Sequence, residues 1–307
     1  MIIENVDQVT QAVLDETKRT PDPRVKEIIG SLVRHLHGFI KDTRLTEKEF
    51  DAAINYVIAL GQLTTESHNE ARLMCGSLGA STLVCLMNNG PNAATESSAN
   101  LLGPFWRTDS PRTVNGGSLL RSDTSGPALF FTGWVRNQFG EPIEDAAVDV
   151  WHASPVGLYE NQDPEQAEMN LRGKFTTDAS GEFSFRSIKP SGYPVPLNGP
   201  VGALLNAQKR HNFRPAHLHF LIYKAGYKTV TSQVYSPDDP HLNTDAQFGV
   251  TRSLIGKYEL HENERAPAPD VTGTWYSLRH TFVVQPGESW LPTPPVSAKA
   301  TRAERGR

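Results

Sequence analysis

Cysteine is scarce in this sequence: Cys75 and Cys85 are the only two among 307 residues. Both fall in one apolar stretch that reads as helix, where ten residues of rise would part them by ~15 Å, too far for a disulfide. Without a framework of bridges, a reducing cytoplasm is the expected location. Long apolar runs are missing too, so no membrane insertion is expected, and the N-terminus lacks the basic-then-apolar pattern of a secretory signal. There is no basic excess either. The net charge is −4, which speaks against nucleic acid as a partner.

What is present is a chain of ordinary hydrophobic content, long enough for one large domain or two. Its 24 glycines and 22 prolines point to many turns and loops. The first hundred residues read as helical. Ile3, Val6, Val9, Val13 and Leu14 share a face, and Pro21-Asp22-Pro23 ends that helix. A second apolar period runs through Val25, Ile28, Ile29, Leu32, Val33, Leu36, Phe39 and Ile40. Thr46 with Glu49 forms a capping box that opens a third helix to about Leu63. A fourth is expected from Ser67 to Met87 as one piece. The apolar face of the first helix needs a cover, either core packing within the chain or a second copy of it.

From about Ala128 the period becomes two. Strands are expected at 130–135 and 147–151 around the turn Asn137–Gly140. Lys174–Thr177 and Glu182–Phe185 flank Asp178-Ala179-Ser180-Gly181, a hairpin signal. Further strands are expected at 216–223, about 229–235, and Trp275–Val284. Helices followed by short antiparallel strands predict an α+β protein whose C-terminal part is a β-sandwich. The tail after Pro292 is rich in Pro, Ala and Arg and is expected to be disordered.

Within this frame, Arg214-Pro215-Ala216-His217-Leu218-His219 draws attention. On a strand, His217 and His219 lie on one face, about 6–7 Å apart at Cα. Two imidazoles so placed are either metal ligands or a histidine pair on a wet sheet face. Two loop tyrosines stand in unusual surroundings: Tyr159 after Gly157-Leu158, and Tyr193 before Pro194-Val195-Pro196. Either alone reads as a packing residue. A trivalent cation deprotonates a phenol whose free pKa is near 10, however. Two phenolates with two neutral imidazoles suit ferric iron better than ferrous iron or zinc.

These residues carry a resemblance to the intradiol ring-cleaving dioxygenases, the catechol and hydroxyquinol 1,2-dioxygenase group. It covers roughly residues 1–290. The carriers are Gly157-Leu158-Tyr159, Gly173-Lys174-Phe175, Tyr193-Pro194-Val195-Pro196 with Gly199-Pro200-Val201-Gly202, the Arg214–His219 stretch, and Thr231–Tyr235. The resemblance implies one non-haem Fe(III) per subunit, held by Tyr159, Tyr193, His217 and His219. Tyr193 would be the ligand displaced when a catecholic substrate binds. It further implies Arg214 and Gln233 as catalytic residues beside the ring, and O2 as co-substrate. By the same resemblance, residues 1–105 form a helical region for dimerisation and substrate covering. Residues 106–292 form the catalytic sandwich and 293–307 the tail. A homodimer through the N-terminal helices, sometimes around a bound lipid, is expected.

Asn100–Trp106 resembles the hydroxyquinol branch through Gly103-Pro104-Phe105, although Gly-Pro also suits any tight turn. The expected substrate pocket comprises Leu73, Gly76, Leu102, Gly103, Pro104, Phe105, Val195, Pro196 and Gln247. Two departures bear on the substrate. Gly76 stands where hydroxyquinol enzymes tend to carry an aspartate, and Gln247 where the family is usually apolar. Hydroxyquinol is the expected substrate, with catechol or a substituted catechol as the alternative. Two other classes compete: a non-catalytic transthyretin-like binding module, and a zinc hydrolase on the His pair. The latter needs a neighbouring carboxylate that no short motif supplies.

Overall fold

The protein is described by a computed structural model covering residues 2–89, 97 and 99–299. The chain forms two compact units, Met1–Ile58 and Ala59–Arg307. The division therefore falls well before the expected boundary at 105. The physical reason is that the segment after Ile58 is tied into the sandwich unit, as set out below.

In the first unit, α1 (Val6–Thr17) starts at Asn5, whose side chain accepts from the backbone N–H groups of Asp7 and Gln8. Asp22 caps α2 (Pro23–Thr43) in the same way, with proline at the first position where its missing N–H costs nothing. Thr46 and Glu49 close the expected capping box on α3 (Glu47–Leu63): Thr46 N–H donates to Glu49 Oε2 at 2.9 Å, and Glu49 N–H to Thr46 Oγ1 at 3.3 Å. Thr10 and His37 join α1 to α2 at 3.0 Å. Yet α1 buries no residue, and Val25, Ile28, Leu32, Leu36 and Phe39 leave an exposed apolar stripe along α2.

The single helix expected over 67–87 is two, α4 (Glu70–Ser77) and α5 (Ala80–Asn89). Gly79 adopts φ +72° between them, a conformation that ends an α-helix and favours glycine. Cys75 and Cys85 thus sit on separate helices, and no disulfide joins them. Glu70, buried at the start of α4, accepts from Val201 N–H at 2.9 Å, near the start of α6 (Pro200–Ala207). Asn100 N–H donates to Thr231 O. Such ties bind α4 and Asn100 to the rest of the second unit.

The strands are β1 (Gly117–Ser118), β2 (Ala128–Asn137), β3 (Ala147–Trp151), β4 (Arg172–Thr176), β5 (Glu182–Ile188), β6 (Tyr193–Pro194), β7 (Phe213–Arg214), β8 (His217–Tyr223), β9 (Val230–Tyr235), β10 (Tyr258–His261) and β11 (Trp275–Val284). They form a five-stranded sheet, β1-β5-β2-β11-β10, a four-stranded sheet, β4-β3-β8-β9, and the small pair β6-β7. The α+β class holds, with one refinement. The four-stranded sheet is antiparallel throughout, but β1 runs parallel to β5 and β11 parallel to β2.

The expected hairpin at 174–185 is also corrected. Its turn forms, with Gly181 N–H donating to Asp178 O at 2.8 Å. The strands it joins nevertheless belong to opposite sheets, as do β2 and β3 around Asn137–Gly140. Both turns carry the chain across the sandwich, because the inward faces of each strand must meet the other sheet's. Between the sheets lies a phenylalanine-rich core, with Phe131 stacked on Phe185 at 4.7 Å and Phe220 against Phe282 at 4.8 Å. Each such buried ring contributes about 1.5–3 kcal/mol.

Residues 293–299, expected to be disordered, are docked; 300–307 lie outside the described residues. Val296 is buried, and the N–H groups of Ser297 and Ala298 donate to Glu66 O at 2.8 and 3.1 Å. Among the described residues no helix is long and apolar enough to cross a membrane.

Candidate active site

Alternation on β8 decides where the histidines go. Leu218, Phe220 and Ile222 enter the core, so His217 and His219 emerge on the sheet's other face. That face is not wet: both are 1% exposed. Register sets their neighbours, with Trp151 and Gln233 flanking His219, and Tyr235 beside His217. The Trp151 ring stacks on His219 at 4.7 Å and 8°. Tyr193 arrives on β6, paired to Arg214 on β7. Tyr159 precedes a short 3-10 helix, Glu160–Gln162, with the Phe105 ring stacked on it at 4.4 Å. Gly157, φ +79°, permits this approach, since a Cβ there would lie 3.0 Å from Tyr193 Cβ.

Four donor atoms converge. Tyr159 Oη is 3.2 Å from Tyr193 Oη and 3.5 Å from His217 Nε2, which is 3.0 Å from His219 Nε2. His217 Nδ1–H donates to Pro215 O at 2.7 Å, turning the Nε2 lone pair toward the centre. His219 Nδ1 has no hydrogen-bond partner. Burial, reinforced by Arg214, pushes His217 down to about 3; burial and His217 hold His219 well below the usual range, so both are neutral. Burial also raises both phenols, Tyr159 strongly so. Two neutral imidazoles with ring nitrogens 3.0 Å apart, beside two phenols, form a set of donors to one point. Ligands ~2.1 Å from a metal and about 90° apart would be spaced roughly 3 Å. The donor set therefore fits a metal that can turn phenols into phenolates. Among the described residues no group of three His, Cys, Asp or Glu could hold one, so none of them supplies the carboxylate ligand that the zinc-hydrolase reading needs.

Beside the donors, Arg214 is held from several directions. Its Nε and Nη2 donate to the two carboxylate oxygens of Asp245, each at 3.1 Å, and Nη2 also to Gln233 Oε1 at 3.0 Å and Tyr235 Oη at 2.8 Å. Nη1 is 3.2 Å from His217 Nε2. Burial opposes both charges, but the pairing holds the Asp245 carboxyl below its ordinary range and the guanidinium well above its own. A cavity of about 710 Å³ opens onto Tyr193 and Arg214. Of the residues named from sequence as the substrate pocket, Leu73, Gly76, Leu102, Gly103, Pro104, Phe105, Val195 and Gln247 line it. Pro196 is the exception: it is half-buried and does not line the cavity.

Comparison with known proteins identifies the family. The family described as Dioxygenase matches residues 102–286, and that described as Catechol dioxygenase N terminus matches 22–96. A hydroxyquinol 1,2-dioxygenase of a Rhizobium strain is 37% identical over 89% of this chain and 93% of its own. The chain belongs to the intradiol ring-cleaving dioxygenases. A catechol 1,2-dioxygenase of Candida albicans is 34% identical over 83% of this dioxygenase and 85% of its own length. The solved structure of a hydroxyquinol 1,2-dioxygenase from Pseudomonas putida superposes with a TM-score of 0.81 at 34% identity, covering 92% of this chain and 99% of that one. Membership in an enzyme family sets aside the non-catalytic binding module.

Several residues of this dioxygenase's site escape sequence reasoning. Asp245 orients Arg214 from 31 positions away. Buried Glu160 accepts from Arg172 Nε at 2.6 Å and from Arg107 Nη1 at 3.2 Å, while Arg172 Nη1 donates to Phe105 O at 2.7 Å. This network locks the Phe105 loop to the segment that follows Tyr159. The available signal was charge next to a site motif, as in Tyr159-Glu160.

Proposed function

We propose that this dioxygenase opens the ring of hydroxyquinol (benzene-1,2,4-triol) between adjacent hydroxyls. One non-haem ferric ion per subunit would be held by Tyr159, Tyr193, His217 and His219. Both atoms of O2 enter the product, 3-hydroxymuconate, the enol form of maleylacetate. The observation that carries this reading is the convergence of four buried donors, one of which, Tyr193, lines a largely apolar cavity of about 710 Å³. Bound there, ferric iron supplies Lewis acidity and the redox partner that the diol and oxygen need.

The chain's own residues do the rest. The apolar walls around Leu73, Leu102 and Phe105 exclude water and hold the ring with its two adjacent hydroxyls toward the donors. Tyr193 is the one proposed ligand that lines the cavity. As a phenolate, Tyr193 would be the group suited to take a proton from the incoming diol, since burial favours its protonated form. Arg214, fixed by Asp245, Gln233 and Tyr235, presents a permanent cation to negative charge that builds up on the ring. Catechol, giving cis,cis-muconate, is the second reading, favoured by the likeness to the Candida albicans enzyme.

The test is a visible absorption spectrum of the purified protein, before and after adding hydroxyquinol without oxygen, then with catechol. A broad ferric-phenolate band that moves to longer wavelength supports the four-ligand centre and direct chelation. A protein still colourless after iron is supplied would overturn it. Self-association completes the proposal: the exposed apolar stripe of α2, from Val25 to Phe39, would pair with a second copy. Light scattering should then give twice the chain mass for the wild type and the single-chain mass for Leu32→Glu; a monomeric wild type would refute pairing.

A further inference from the structure

Gly76 on α4 has Gln247 pressed against it. A Cβ at position 76 would lie 1.8 Å from Gln247 Oε1 and 2.8 Å from its Cδ. The carboxamide thus fills the space that any side chain at 76 would take. It is pinned there. Gln247 Nε2 donates to Ser77 Oγ at 2.6 Å, and its backbone N–H donates to Asp245 Oδ1 at 3.0 Å. From behind, Arg210 donates to Ser77 O and to Ala246 O, each at 2.8 Å. The same aspartate that orients Arg214 therefore also fixes the backbone of Gln247.

Gly76 and Gln247 line the cavity shared by Tyr193 and Arg214. Among the described lining residues none is Asp or Glu. Asn100 is already committed, its Nδ2 to Gly249 O at 2.6 Å and its Oδ1 to Leu101 N–H. With Nε2 spent on Ser77, what Gln247 offers the cavity is an uncharged acceptor, Oε1, on a wall otherwise rich in apolar groups.

We propose that Gln247 is a specificity-determining residue: its carboxamide, seated over Gly76, accepts a hydrogen bond from a ring hydroxyl beyond the two adjacent ones. The inference rests on the ring cleavage proposed above and names the group that selects the substrate. A diol without that hydroxyl leaves a buried carbonyl oxygen unpaired, which penalises it relative to the triol. The acceptor is present only because position 76 lacks a side chain, so the two residues act as one feature.

The experiment compares kcat/KM for hydroxyquinol and for catechol in the wild-type holoenzyme, Gln247→Leu, Gly76→Ala and the double variant. The wild type should prefer the triol. Gln247→Leu should lower the triol-to-catechol ratio roughly tenfold, the range of one neutral hydrogen bond. Gly76→Ala should lower it similarly by displacing the amide, without further loss in the double variant. Gln247→Glu, which keeps an oxygen acceptor, should recover most of the ratio. An unchanged ratio in Gln247→Leu, or losses that multiply in the double variant, would overturn the assignment, as would a wild type with no preference for the triol. Ring cleavage would stand in each of those cases. A wild type that cleaves neither compound would instead overturn the proposed function and this inference with it.

Discussion

The donor cluster and the wall that faces it are built by different means. Three of the four donors ride on strands, and sheet register sets their neighbours: His219 between Trp151 and Gln233, His217 beside Tyr235, Tyr193 opposite Arg214. The wall is assembled from α4, the 101–105 loop, the segment around Gln247 and the chain near Trp290. On a strand, the pleat commits residues two apart to a common face before any tertiary contact forms. On the wall, Gly76 meets Gln247 across 171 positions, and no local period encodes that. The proposed metal donors thus sit where geometry repeats, and the proposed selector of the substrate where it does not.

The comparison breaks most sharply at the cluster. Tyr159→Phe or His219→Ala should lose iron and activity together, by more than the roughly 100-fold that loss of an outer partner of a metal ligand costs. Metal analysis and the visible band are the readouts; iron at full level in His219→Ala would remove it from the ligand set. A smaller effect is expected between cluster and wall. Arg214→Ala should keep iron and lower kcat about 100-fold, the loss typical of a donor aimed at developing charge. Asp245→Asn should lose roughly tenfold, since an amide orients the guanidinium less well and leaves its charge unpaired. Combined, the two should cost little more than Arg214→Ala alone; losses that multiply would mean that Asp245 acts on its own rather than through Arg214.

How far the molecule was legible in sequence follows the same division. The His217/His219 pair, the strand Trp275–Val284 and the Thr46–Glu49 box were readable because each depends on spacing of two to four residues. Which sheet a strand joins was not. The Asp178–Gly181 turn has hairpin chemistry, yet β4 and β5 separate into opposite sheets, because burying Phe175 and Phe183 on facing surfaces outweighs pairing them side by side. The helix break at Gly79 was visible as a glycine, but only its positive φ shows that it ends α4. Composition misled over 293–299, where the backbone N–H groups of Ser297 and Ala298 donate to Glu66 O. Asp245 was unreadable for a different reason: an isolated acid in a loop gives no sign that it will be buried against an arginine.

The mildest test asks whether a buried titratable group near the cluster belongs to the fold or to the chemistry. His152 follows Trp151, is 1% exposed, and contacts Ser187 Oγ through Nε2 at 2.7 Å and Ala153 O through Nδ1 at 2.8 Å. Burial lowers its pKa to about 4. The folded state therefore keeps His152 neutral at pH values where the unfolded chain, at about 6.5, takes up a proton. Because the unfolded state binds more protons, stability is lost as pH falls from about 6.5 toward 4, by roughly 2 kcal/mol at pH 5. Urea unfolding of the iron-loaded wild type and of His152→Asn, at pH 7 and pH 5, reads this difference. The variant should be weaker at both pH values yet show a smaller drop between them, with the triol-to-catechol ratio unmoved. An identical drop would mean that His152 is not the group titrating. A shifted ratio would mean that the cluster side of the cavity helps choose the substrate after all.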